Sequence, residues 1–161
     1  MLFAGPYEAK LETDAIIDYL IDHKNTPIFI SKKIIQRFVT SNPSPRYLKV
    51  VADAFRTGTY SGSTTTFSGK RGDLQATLAA ALLDREARST TLLADPTYGQ
   101  LREPLIKVLH LLRAMKFTPN EDTSEIDLKN MQSQIGQGIF QVSSVFGYYS
   151  PVYAASGKIK K

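Results

Sequence analysis

"TPIFISKKIIQRFVTSNPSPRYLKVVADAFRTG", residues 26–58, decides the fold. Two helices are written into it back to back, each with its own start signal. Thr26 stands as a cap and Pro27 at the first helical position, where the missing proline N–H costs nothing. Ile30, Ile34 and Phe38 then recur at four-residue steps beside Ile35, opposite Lys32 and Lys33, as an amphipathic helix requires. After "SNP" the plan repeats: Ser44 caps, Pro45 opens, and Leu48, Val51, Ala52 and Phe55 form the inward row. Gly58 occupies the place where a helix C-terminus needs a residue at ease with positive φ.

The pattern extends in both directions. Upstream, "TDAIIDYLIDHKN" sets Ile16, Ile17, Leu20 and Ile21 on one face, with Thr13 as the expected N-cap. Downstream, "TYSGSTTTFSGKRG" lacks any helical period and reads as a flexible loop or short hairpin. "GDLQATLAAALLDREAR" starts at Asp73 and is expected to bury Leu74, Leu78 and Leu82. "REPLIKVLHLLRAM" opens on Pro104 and packs Leu105, Val108, Leu109 and Leu112. A sixth, shorter helix through "SEIDLKNMQSQIG" is expected between a Ser124 cap and Gly136. No internal repeat and no sustained strand alternation occurs. The expected fold is all-α: one helical domain over 1–161, a compact orthogonal bundle of five to six helices joined by proline-started turns. Its flexible loop lies at about 58–72, an irregular aromatic strap at 137–153 and a basic tail at 154–161.

Composition narrows the functional classes. The chain has 161 residues, 42% hydrophobic and 22% charged, the balance of an ordinary globular protein. It has no cysteine, which removes disulfides, zinc–thiolate sites and cysteine nucleophiles together. No apolar run reaches the roughly 18 residues of a membrane span. "MLFAGPYEAK" has no basic start followed by an apolar stretch, so no secretory signal is expected in this chain. Net charge is +5, but Lys158, Lys160 and Lys161 of the tail supply much of it. The body is mildly basic, so a nucleic-acid surface built on Lys32, Lys33, Arg46 and Lys49 is not expected.

No catalytic constellation stands above background, and no cofactor or metal is expected. His23 and His110 are the only histidines. His110 lies beside an apolar helix face and reads as structural. His23 follows a helix and reads as a capping group for its last carbonyls, favoured by the dipole there. The alternative acid–base set is His23 with Asp18 or Asp22. Asp14, Asp18 and Asp22 line one helix face, as carboxylates for a cation or simply as a solvated surface. Lys33 and Arg37, one turn apart, suit a phosphate or carboxylate, or a plain charged face. The Arg71–Asp73 Arg-Gly-Asp triplet reads as a helix cap at Asp73, and no Gly-x-Ser-x-Gly elbow or phosphate loop is present.

The stretch "SSVFGYYSPVY" packs Phe146, Tyr148, Tyr149 and Tyr153 around Gly147 and Pro151. Such rings either lie as a strap over a bundle with their hydroxyls bonded, or form, with Gln137, a surface for a sugar or protein contact.

Four blocks in order, "FISKKIIQRFVTSNPSPRYLKVVADAF", "GKRGDLQATLAAALLDREAR", "LREPLIKVLHLLRAM" and "IGQGIFQVSSVFGYYSPVY", resemble the C-terminal part of a bacterial family, domain of unknown function 1800, over about Asp14 to Tyr153. His23–Asn25 resembles a His-Pro-Asn of that family, with Lys24 in place of proline. The resemblance implies a largely helical fold, relatives of greater length that often look exported or envelope-associated, and no reaction. It also implies that Gly136-Gln137 and "SVFGYYSP" are family features. The functional expectation is a non-catalytic scaffold or interaction component with a protein partner or an upstream domain. The alternatives are an enzyme fragment or subunit acting on an envelope polymer or ester, and a weak nucleic-acid binder.

Overall fold

The computed structural model describes residues 6–119, 130–138, 140–142, 144–145 and 147–153. Among them the fold is all-α, as the periodicity predicts. The elements are α1 (Pro6–Asp22), α2 (Thr26–Phe38), α3 (Pro45–Thr57), α4 (Leu74–Leu83), α5 (Pro104–Ala114) and α6 (Met131–Ile135), with one 3₁₀ turn at Thr91–Ala94. The described residues hold no strand. An isolated antiparallel bridge pairs Ser144 with Gly147. The chain divides into two compact units, Met1–Gly99 and Gln100–Lys161.

In the first unit α2, α3 and α4 pack on one another around Ile35, Tyr47, Val51, Ala54, Ala80 and Ala81. Full burial of side chains such as Ile35 and Val51 stabilises by about 1.5–3 kcal/mol each. The ends of α3 follow the sequence. Ser44 accepts from the Tyr47 N–H at 3.1 Å, Pro45 opens the helix, and Gly58 closes it at φ 65° with its N–H on Ala54 O. Gly58 is also in close quarters, since a Cβ there would collide with the Lys70 backbone. The segment after α3 is a run of turns closed on that helix, Gly69 N–H donating to Gly58 O and Gly72 N–H to Phe55 O.

Three local expectations change. Asn25, not Thr26, is the N-cap residue of α2, and the face turned inward runs through Pro27, Ser31 and Ile35, leaving Phe38 exposed. Thr13 is not a cap: α1 already starts at Pro6, and the Thr13 hydroxyl donates to Ala9 O one turn back. A run of Glu, Ala, Lys and Leu is good helix material, so nothing stops the helix short of the proline. On α4 the buried face is Ala76, Thr77, Ala80 and Ala81, while Leu74 and Leu82 are exposed. Small side chains let α4 approach α2 and α3 closely. A helix apolar all round gives no period from which to choose a face.

In the second unit, Leu105, Val108, Leu109 and Leu112 of α5 are half-buried, on the row the spacing predicts. Gly136 ends α6 at φ 76°. Ser124, the expected start of the sixth helix, lies outside the described residues, as do Phe146 and the basic tail at 154–161.

Candidate functional site

The polar side chains that look chemically capable are mostly committed to holding backbone in place. Arg46, one residue into α3, forks onto the Asp84 carboxylate (Nη1–Oδ2 3.0 Å, Nη2–Oδ1 2.6 Å) and reaches Glu86 Oε2 at 3.1 Å. Glu86 also accepts from the N–H and the hydroxyl of Ser44, so one carboxylate binds the α3 cap to the segment that follows α4. Tyr98 donates its hydroxyl to Glu86 O, and the buried Tyr47 donates its own to Ala81 O. Burial pushes the Tyr47 hydroxyl pKa well up, keeping it a neutral donor. Burial also acts to raise the Asp84 carboxyl. The Arg46 hydrogen bond, the Glu86 N–H and the nearby guanidinium charges outweigh it, and the group stays below its ordinary range.

A second centre fixes the end of α1. Arg71 donates from Nε to Ile21 O at 3.0 Å and from Nη2 to the carbonyls of Asp22 and His23 at 3.2 and 3.1 Å. The Thr26 hydroxyl takes Leu20 O. The last carbonyls of α1 are thus capped by a guanidinium fifty residues away rather than by His23. His23 Nδ1 instead accepts from Asn25 N–H at 3.3 Å, with its ring 6.5 Å from that of Tyr19. His23 and Asp22 are both exposed, Asp22 lying 3.5 Å from Arg71. Asp18 is exposed on the same helix, and Asp14 is paired with Lys10 at 2.7 Å. The Arg-Gly-Asp triplet is used for structure, Arg71 as this clamp and Asp73 as the cap of α4. Asp73 accepts from Ala76 N–H and Ser68 N–H; the Ser68 hydroxyl foremost, then these two N–H groups, hold its carboxyl down at about 2.

The aromatic strap is held from within. Gln137 is only 3% exposed. Its Oε1 accepts from Leu105 N–H at 3.0 Å and its Nε2 donates to Glu103 Oε2 at 3.0 Å. A residue thirty-two positions away therefore satisfies one of the orphan amides in the first turn of α5. The other oxygen of buried Glu103 accepts from Tyr148 N–H at 3.1 Å, and the Tyr148 hydroxyl donates to Gly136 O at 2.7 Å. Tyr149 meets Tyr148 edge-on at 4.9 Å between centroids and stacks on Tyr153 at 4.8 Å. Burial is the main cause raising the Tyr149 pKa. Tyr153 is exposed, as are Phe140, Val142, Val145 and Val152 around it in sequence. Phe140 holds φ 60°, a sparsely populated conformation for a residue with a Cβ.

The basic residues are similarly occupied. Lys49 bridges Asp53, Arg46 is in the cluster just described, and Lys33 lies over the Phe29 ring at 5.6 Å. Arg37 is exposed in the last turn of α2, and His110 is exposed on α5. Among the described residues, no three of His, Asp and Glu gather as a metal-binding group, and no helix is long and apolar enough to cross a membrane.

The apolar row of α1 is a different matter. Ile16 (59% exposed), Ile17 (47%) and Leu20 (55%), expected to face a core, stand in solvent. At its C-terminal turn the helix settles, Ile21 being half-buried beside Gly72 and the carbonyls held by Arg71. The helix and its apolar row were legible in the sequence. That the row is left uncovered was not, because periodicity says which side chains share a face and not what meets it.

Comparison with curated proteins and with solved structures finds no match. A family profile described as "Protein of unknown function (DUF1800)" matches residues 4–161, a longer span than the four sequence blocks cover. The chain belongs to that family.

Proposed function

We propose that this chain is a non-catalytic helical interaction module, a component that docks onto a protein partner through the exposed arc of α1. The single observation that carries the reading is the exposure of Ile16, Ile17 and Leu20 on a helix whose C-terminal end is clamped by Arg71. A contiguous apolar surface left in water is costly to keep unless something covers it. The polar groups support the same reading. Arg46, Asp84, Glu86, Arg71, Asp73, Glu103 and Gln137 each make structural bonds to backbone or to one another. The strap offers a second contact area through Phe140, Val145, Val152 and Tyr153, with Tyr148 and Tyr149 as its stiffening rings.

The experiment is site-specific photo-crosslinking in the native cell, with the photoreactive residue at position 17 and, as control, at exposed Lys49. The reading predicts a single protein adduct from position 17 only, with the cross-link mapped to one segment of that partner. Ile16→Glu combined with Leu20→Glu abolishes it. A folded chain giving no adduct from α1, or the same adducts from both positions, overturns the reading.

A further inference from the structure

In the second unit, α5 brings charge of a single sign and uncovered apolar side chains together on one side of a helix. At about 100° per residue, the half-buried row Leu105, Val108, Leu109 and Leu112 takes one side of α5. Lys107, His110, Leu111 and Ala114 take the other, and all four are exposed. Arg113 continues the exposed side past His110, and Met115 continues it past Leu111. Leu111 is 58% exposed, Met115 71% and Phe117 53%. The helix closes with Lys116 N–H on Arg113 O and Phe117 N–H on Leu112 O, Lys116 standing at φ 51°. Glycine is the usual residue in such a turn; lysine there sets a cation between the exposed Met115 and Phe117. Unlike Lys49, Arg46 and Lys33, these cations have no partner: no ion pair among the described residues engages Arg102, Lys107, Arg113 or Lys116. The helix dipole accounts for Arg113 and Lys116 at its negative end, but it disfavours Arg102 and Lys107 at the positive end. Among the described residues of Gln100–Lys161 the one acid is Glu103, which is buried and already bonded to Gln137 and the Tyr148 N–H. By sequence the whole unit carries eight Lys and Arg against five Asp and Glu, a net of +3.

We propose that the outward side of α5 and its closing turn seat on an anionic lipid bilayer, Leu111, Met115 and Phe117 entering the boundary of the acyl chains and Arg102, Lys107, Arg113 and Lys116 meeting lipid phosphates. Interfacial helices combine these two elements, an apolar contact and a set of cations. Long cationic stems lie along apolar surface while their heads stay among the phosphates. A nucleic acid offers the same phosphates but gives Leu111 and Met115 nothing to enter. An acidic protein surface presents carboxylates at fixed places and calls for ordered cations, and no neighbour orders these. A fluid sheet of phosphates needs no such order. This surface belongs to a different unit from the arc of α1, and the inference stands or falls without that reading.

The test uses the whole chain and co-sedimentation with vesicles of phosphatidylcholine alone or of equal parts phosphatidylcholine and phosphatidylglycerol. Each cation near an anionic surface contributes about a five-fold factor to partition, so the anionic vesicles are expected to bind about ten-fold more tightly or better at low salt. That advantage shrinks as salt shortens the screening length. Lys107→Gln with Arg113→Gln, at exposed positions, lowers binding by about ten-fold or more. Leu111→Gln with Met115→Gln lowers it as well, and circular dichroism of both variants stays unchanged. The chain has no cysteine, so Ala114→Cys and, as control, Lys49→Cys each carry a single fluorophore. Spin-labelled lipid is expected to quench the dye at 114 and not at 49. Equal binding to both kinds of vesicle, or to neither, overturns the inference. Binding to anionic vesicles that leaves position 114 unquenched also overturns it, the contact then lying in other cations such as Lys158, Lys160 and Lys161. Tighter binding to a DNA duplex than to anionic vesicles, unaltered by Leu111→Gln with Met115→Gln, overturns it in favour of nucleic acid. The cross-link from position 17 decides the docking reading of α1 separately.

Discussion

Replacing Arg46 by methionine tests whether the cluster at the start of α3 holds the first unit together. Methionine keeps most of the side chain's length and apolar contact, so the change is chiefly the loss of the fork onto Asp84 and of the contact to Glu86. The Asp84 side chain is 6% exposed and the Arg46 side chain 36%. The pair thus lies between the exposed case, worth up to about 1 kcal/mol, and the fully buried case, where removing one partner costs about 3–5 kcal/mol. A loss of about 2–3 kcal/mol at neutral pH follows. With a urea slope of about 2 kcal/mol/M, the midpoint falls by roughly 1–1.5 M. Far-UV circular dichroism follows the transition, and hydrogen exchange places the loss in α3 and α4. The pH dependence gives a second signature. In the native protein Asp84 titrates below its ordinary value, which is about 3.9 in an unfolded chain. Its contribution is therefore complete above that value. It is lost as pH falls through the folded value, because the unfolded chain takes up the proton first. Without Arg46, only the Glu86 N–H and the Arg85 charge oppose burial, so the carboxyl moves up from its native value and acidification costs the variant less than the parent. The stability gap between the two proteins must narrow as pH is lowered. An unchanged midpoint at neutral pH, or a gap that widens on acidification, refutes the reasoning.

Other consequences follow from single atoms. The Ser31 hydroxyl is buried on the core side of α2 with no hydrogen-bond partner among the described residues, so Ser31→Ala is expected to raise stability by about 1 kcal/mol in chemical denaturation. Gly58→Ala forces a Cβ into the left-handed region and against the Lys70 backbone; a loss of about 2 kcal/mol or more is expected, read as a lowered melting temperature. Gln137→Leu removes the partner of Leu105 N–H and one donor to buried Glu103. It should cost about 1–3 kcal/mol and speed amide exchange in the first turn of α5, with exchange in α3 unaffected.

The parts of the fold that the sequence displays are those made by neighbours in the chain. Ser44, Pro45 and Gly58 announce both ends of α3 because caps act over three or four residues. Asp73 and Pro104 announce α4 and α5 in the same way. What local pattern cannot carry is partnership at a distance. Arg46 finds Asp84 across thirty-eight positions, Arg71 finds the end of α1 across fifty, and Gln137 serves Leu105 across thirty-two. A faint signal existed for the first, since "LLDREAR" and "SPRYL" each set charge against an apolar run. It does not say which charge meets which. His23 shows the converse: its position after a helix suggested a cap, but the guanidinium of Arg71 brings more donors to the same carbonyls and the imidazole accepts a bond instead. The arc of α1 was read as core because an apolar row usually is one, and its exposure is visible only once the other helices are in place.

The most direct measurement is the stability of the chain carrying Ile16→Glu and Leu20→Glu together. If the arc of α1 is a docking face, two charges added there meet water, and the unfolding free energy stays within about 0.5 kcal/mol of the parent while contact through position 17 disappears. If the arc is instead part of the folded core, the same pair buries two uncompensated carboxylates and the protein loses several kcal/mol or fails to fold, which contradicts the account.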